Sequence, residues 1–208
     1  LGTTDELQLV TELTLDLAKK YGPEKVLVVL DIDNTLLAME QDLGSDQWYN
    51  WQKNLEAENP CSPMLVDDVL EAQGALYFAS AMRPTQPEAA AQVERLQEAG
   101  LNVIVLSARG PGFRLATFRE LRRNGFNFWR NAWPPQRGFP DPFIPEGGSR
   151  HAVYEDGVIF AAGQDKGLTL KSVLDKSGQA YPALIVMMDD KQTNLNQVMS
   201  AFSWSGTK

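Results

Sequence analysis

Lys25-Val26-Leu27-Val28-Val29-Leu30-Asp31-Ile32-Asp33-Asn34-Thr35 decides the fold class of this 208-residue chain. The aliphatic run from Val26 to Leu30 has no polar face, so it reads as a strand buried on both sides. Such strands belong to parallel sheets covered by helices. This strand ends in acid. Side chains alternate across a strand, which places Asp31 and Asp33 on one side, two residues apart. Open α/β sheets bind ligands beyond the carboxyl ends of their strands. Two carboxylates held in such a cleft disfavour each other's charge unless a cation or a catalytic task accounts for them. A hard metal ion and an aspartate nucleophile together meet that requirement.

Working outward, two further aliphatic runs end in polar residues. Leu101 to Leu106 stops at Ser107, and Ala183 to Met188 stops at Asp189-Asp190. Helical patterns fill the intervals. Thr3 and Glu6 have capping-box spacing, Leu7, Val10, Leu13 and Leu17 form an apolar stripe, and Gly22-Pro23 closes that helix. Ser62-Pro63 predicts a helix start running to about Met82, and Gln86 to Ala99 predicts another. Trp48, Tyr49 and Trp51 are expected mainly in the core, as are Trp129 to Trp133. A helix over Gly112–Asn124, a packed loop over 126–148 and a hairpin turning at Asp156-Gly157 follow. Asp165 caps a helix to about Lys176, and the last helix covers Thr193–Phe202.

Strands alternating with helices indicate a three-layer α/β/α domain around a central parallel sheet. One domain spans residues 1–208, with a small, mostly helical insert at about 36–84 and a loop and hairpin insert at about 126–165. A net charge of −8 argues against nucleic-acid or anionic-membrane surfaces, which an acidic protein repels. No apolar run reaches the 18 or more residues of a membrane span. Cys61 is the single cysteine, so no internal disulfide forms, and His151 is the single histidine. Both are expected to be chemically idle. The chain opens at Leu1 rather than Met, which points to removal of a signal peptide or a tag. The short stretch after the last helix points to a clipped C-terminus.

The ordered set Asp31-x-Asp33-x-Thr35, strand-Ser107, Lys166 at a helix start and strand-Asp189-Asp190 resembles the haloacid dehalogenase (HAD) superfamily. The match spans residues 26–190. Val28-Val29-Leu30-Asp31-Ile32-Asp33-Asn34-Thr35-Leu36-Leu37 is similar to the first motif of its secreted and periplasmic acid-phosphatase branch. The remainder points to a bacterial subfamily of its own.

This resemblance implies a HAD-like Rossmannoid fold and a Mg²⁺-dependent phosphatase acting on a small phosphomonoester. Asp31 would be the nucleophile, forming an aspartyl-phosphate, and Asp33 the acid and base. Asp31, the Asp33 carbonyl, Asp189 and Asp190 would serve Mg²⁺, an oxygen-seeking ion. Ser107 and Lys166 would hold phosphoryl oxygens, with Asn34 and Arg109 as further substrate contacts. An acid at position 33 favours phosphotransfer over dehalogenation in this superfamily, and the missing membrane spans exclude P-type ATPases. A non-catalytic binding protein on the same fold is the main alternative, with a phosphomutase below it. The missing Met and the acid-phosphatase likeness favour a periplasmic or secreted location.

Overall fold

The computed structural model describes residues 2–208. Seven strands and seven α-helices are laid out along them in α/β order, and a five-stranded sheet forms the centre. Its order is β5 (Val153–Glu155), β6 (Val158–Phe160), β4 (Asn102–Ser107), β1 (Val26–Leu30), β7 (Leu184–Met188). β1, β4, β6 and β7 run parallel, and only β5 is antiparallel, joined to β6 by the Asp156-Gly157 turn. Both turn residues have positive φ, 46° and 81°, as a two-residue hairpin loop requires.

Alternation along the strands divides the core into two layers. Val26, Val28 and Leu30 meet α1 (Leu7–Tyr21), α4 (Ala89–Glu98) and α5 (Arg114–Arg123) on one face. Leu27 and Val29 meet α6 (Lys166–Ser177) and α7 (Gln192–Phe202) on the other. All five residues of β1 are fully buried, as a run with no polar face demands. From β1 the chain adds β4 and then β6 on one side and returns to add β7 on the other. The direction of winding therefore reverses beside β1, and a crevice opens where the loops after β1, β4 and β7 diverge.

The segment between β1 and α4 is built differently from its sequence pattern. β2 (Leu37–Met39) pairs antiparallel with β3 (Met82–Pro84), and α2 (Asp46–Glu58) and α3 (Val69–Ala79) lie between them. Fully buried Glu120 on α5 fastens this unit, its Oε2 accepting from the Met82 N–H at 2.7 Å. The helix expected from Ser62-Pro63 instead starts at Val69, where the Asp68 carboxylate accepts from the Glu71 N–H at 2.9 Å. Pro63 sits in the turn before it.

The Trp48, Tyr49 and Trp51 cluster is not core. Gln52 is the one buried residue of α2, and Trp51 and Trp129 are exposed, whereas Trp133 is buried. Helix α1 also departs from its apolar stripe. Its buried face is Leu7, Thr11, Thr14 and Ala18, and Leu13 is exposed. Thr14 can be buried because its hydroxyl bonds back to the Val10 carbonyl at 2.7 Å, leaving its methyl to pack. No capping box forms at its start, where the Glu6 N–H donates to Thr4 Oγ1 instead.

Candidate functional site

The Leu30↔Met188 register of β1 and β7 sets Asp31 beside Asp189, and the Asp31 N–H donates to the Met188 carbonyl at 3.0 Å. Lys166 reaches this point from the first turn of α6. Asp165 caps that helix through the Leu168 N–H at 2.8 Å, which fixes Lys166 as its first residue. Gly167 then lets α6 press against α7, since a Cβ there would lie 2.2 Å from the Gln197 carbonyl oxygen. Close packing of α6 on α7 thus sets the height of Lys166 above the sheet.

Lys166 Nζ, almost fully buried, donates to Asp31 Oδ1 at 2.6 Å and to Asp189 Oδ2 at 2.7 Å. Asp189 Oδ1 accepts from Asn194 Nδ2 at 2.7 Å and from the Lys191 N–H at 2.9 Å. The second oxygen of Asp31, Oδ2, carries no hydrogen bond from the described residues, and Asp31 lines the crevice. Burial pushes the Asp31 carboxyl up to about 7, with Lys166 pulling it down and Asp189 and Asp33 pushing it further up. One oxygen from each of Asp31, Asp189 and Asp190 lies within 4.8 Å of the others, with Asp31 buried and Asp190 exposed. Such an all-carboxylate set suits a hard cation, and the partial charge excess left after Lys166 gives that cation a role.

These groups floor a cleft of about 510 Å³ lined by Asp31, Asp33, Arg109, Lys166, Asp190 and Asn194 among others. Its outer wall comes from the segment between β2 and β3, through Asp46, Tyr49, Leu70 and Tyr77. An ion pair of 2.8 Å from Lys191 to Asp46 ties the start of α2 to the loop after β7. The chain belongs to the DUF2608 family. The family, described as a protein of unknown function, matches residues 6–208 and so takes in every element of the cleft. No curated protein and no solved structure matches the chain.

In this DUF2608 protein the eight candidate site residues fall into three groups. Asp31, Lys166, Asp189 and Asp190 converge on one point. Asp33 and Arg109 line the same cleft but are bound to each other: Arg109 Nε and Nη2 donate to the two Asp33 oxygens at 2.9 and 2.7 Å. Arg109 therefore addresses Asp33, not the open cleft.

Ser107 and Asn34 do not reach the cleft surface. Ser107 is fully buried and its hydroxyl accepts from the Arg109 N–H at 3.1 Å, closing the turn after β4. Asn34 occupies the left-handed region (φ 61°) in a tight turn, with its N–H on the Leu37 carbonyl. Its side chain accepts from Gln47 Nε2 at 3.3 Å. Short polar residues tolerate that backbone, which explains an Asn at this place without a ligand.

Three contributors were not anticipated. Asn194 stands five residues after Asp189, a spacing that brings the first turn of α7 back over the strand end. Gln197 accepts from the Lys166 N–H at 2.9 Å. Tyr77 of α3 is buried against Arg109, its hydroxyl accepting from Nη1 and its ring 4.2 Å from the guanidinium carbon. His151 and Cys61 are exposed and outside the cleft. No helix among the described residues is long and apolar enough to cross a membrane.

Proposed function

We propose that this chain is a Mg²⁺-dependent phosphomonoester hydrolase of HAD type. The observation that carries the reading is the convergence of Asp31, Lys166, Asp189 and Asp190 at the β1/β7 switch point, beneath a cleft large enough for a small organic phosphate. In this reading Asp31 Oδ2 attacks phosphorus in line while Oδ1 stays on Lys166. The bond from phosphorus to the leaving oxygen breaks as the Asp31–phosphorus bond forms. Asp33, which lines the same cleft, gives its proton to the departing alkoxide. It then takes a proton from the water that opens the acyl phosphate, which restores both carboxyl groups and releases inorganic phosphate.

Lys166 holds the nucleophile in place and offsets negative charge on the transferring group. Asp31, Asp189 and Asp190 would hold the ion, and Asn194 and the Lys191 N–H orient Asp189 for that task. Bound there, Mg²⁺ supplies charge neutralisation at the phosphoryl oxygens. The segment between β2 and β3 is well sited to select the organic part of the substrate, since it supplies the outer wall.

Phosphate release from a panel of phosphomonoesters, in Mg²⁺ and in EDTA, tests the proposal. Release that requires Mg²⁺ and is lost in Asp31→Asn supports it. Full metal-dependent release by Asp31→Asn overturns it, and so does the absence of release across the panel.

A further inference from the structure

Asp33 is more open than Asp31 and Asp189, with its side chain 27% exposed against 7% and 0%, yet both of its oxygens are held. Both of its oxygens accept from the planar fork of Arg109, the geometry that fixes a carboxylate in position and in rotation together. Arg109 is itself held on every side. Its Nη1 donates to the Tyr77 hydroxyl and to Thr117 Oγ1 at 2.9 Å, and Nη2 lies 3.3 Å from Met82 Sδ. Its guanidinium carbon lies 4.2 Å from the centre of the Tyr77 ring. These partners belong to three units: Thr117 to α5, Met82 to β3 and Tyr77 to α3 of the cleft wall. Tyr77 is in turn packed on Phe113, with ring centroids 5.9 Å apart.

We infer that Arg109 is the positioning residue for Asp33, and that Tyr77 ties this placement to the helix forming the outer wall of the cleft. The inference rests on the phosphatase reading and adds a specific division of labour to it. A carboxyl group that hands a proton to a leaving oxygen must be aimed at that oxygen. When one Asp33 oxygen carries the proton, the other keeps its bond from Arg109, so the group stays anchored while it delivers that proton. Lysine at 109 keeps the charge but offers one donor direction in place of two parallel ones. Such a defect leaves substrate affinity intact and weakens proton delivery alone.

The leaving group separates this from a substrate-binding or structural role. p-Nitrophenolate departs with little need of a proton, whereas a simple alkoxide such as that of an alkyl phosphate needs one. Arg109→Lys and Tyr77→Phe are compared with the unaltered chain on p-nitrophenyl phosphate and on an alkyl phosphate, in Mg²⁺. General acid catalysis is worth roughly 10²–10⁴-fold, so kcat of Arg109→Lys on the alkyl ester should fall by about 10²-fold or more. On p-nitrophenyl phosphate the fall should stay under about tenfold, with KM little changed on both. Tyr77→Phe keeps the fold of the wall and should show the same pattern more weakly.

Equal losses of kcat on the two esters overturn the inference, as does a rise in KM on both, which would make Arg109 a substrate ligand. Should Arg109→Lys fail to fold, Tyr77→Phe carries the test: a selective loss on the alkyl ester supports the inference and an unselective one overturns it. An unaltered chain that hydrolyses neither ester contradicts the phosphatase reading itself, which is a distinct result.

Discussion

Lys166→Met tests whether the centre of the site is an electrostatic unit. Methionine keeps most of the buried stem and removes the ammonium group. In the native chain Nζ is the shared cation of Asp31 and Asp189, whose side chains are 7% and 0% exposed. Without it, two buried carboxylates face each other with Asp190 nearby. Breaking a buried pair by deleting one partner costs about 3–5 kcal/mol, mostly from the charge left behind. The two pairs share one cation, so their losses do not add. Protonation offers Asp31 an escape, since burial already lifts its carboxyl to about 7 against the pull of Lys166. The full loss should therefore appear at pH 8 and shrink by pH 5.

For a chain of this size a loss of about 3–5 kcal/mol lowers Tm by roughly 6–20 °C. Urea unfolding in EDTA, followed by circular dichroism at pH 8 and pH 5, measures it directly. A loss under about 1 kcal/mol at pH 8, the value of an exposed ion pair, would refute the reasoning.

Three further outcomes follow from the same geometry. The folded chain holds a proton on Asp31 between pH 3.8 and about 7 that the unfolded chain has already released. Stability relative to Asp31→Asn should thus be greatest below pH 3.8 and decline as pH rises to about 7 in EDTA; a relative rise over that window contradicts it. Gly167→Ala places a methyl 2.2 Å from the Gln197 oxygen and forces α6 away from α7. It should cost about 1–3 kcal/mol by denaturant unfolding and reduce turnover through displacement of Lys166, and a neutral alanine would sink the packing argument. Mg²⁺ at about 100 times its Kd should stabilise the chain by about 2.7 kcal/mol. Asp190→Asn should weaken that effect while leaving the metal-free Tm in place, and an unchanged Mg²⁺ titration would remove Asp190 from the metal set.

The parts of the fold that can be read from the chain are those governed by local rules. β1 and β4 announce themselves because strands covered on both faces have no polar side to blur, and the edge strand β7 shows the same unbroken aliphatic run although most of it is half-buried. The β5–β6 turn needs positive φ at Asp156-Gly157, and the cap at Asp165 needs only its own side chain. Helix α1 misleads because threonine is counted polar, although Thr11 and Thr14 are fully buried. Helix α3 misleads because Ser62-Pro63 and Asp68 both carry start signals, and tertiary packing selects the second.

At the site, strand ends alone mark Asp31, Asp189 and Asp190. The pairing of Arg109 with Asp33 spans 76 positions, and that of Arg109 with Tyr77 spans 32, so no local pattern encodes either. Ser107 has the right place in the order, yet it is fully buried and its hydroxyl oxygen accepts from the turn that follows it.

Asp31 as the covalent phosphoryl acceptor is the central claim, and acid quenching during turnover tests it most directly. The unaltered chain is mixed with a phosphomonoester it hydrolyses in Mg²⁺, quenched within one turnover and digested, and the phosphoryl group is located by mass spectrometry. The account predicts a hydroxylamine-sensitive phosphoryl group on Asp31, absent in EDTA. Steady phosphate release with Asp31 never phosphorylated, or with the group on another residue, would contradict it.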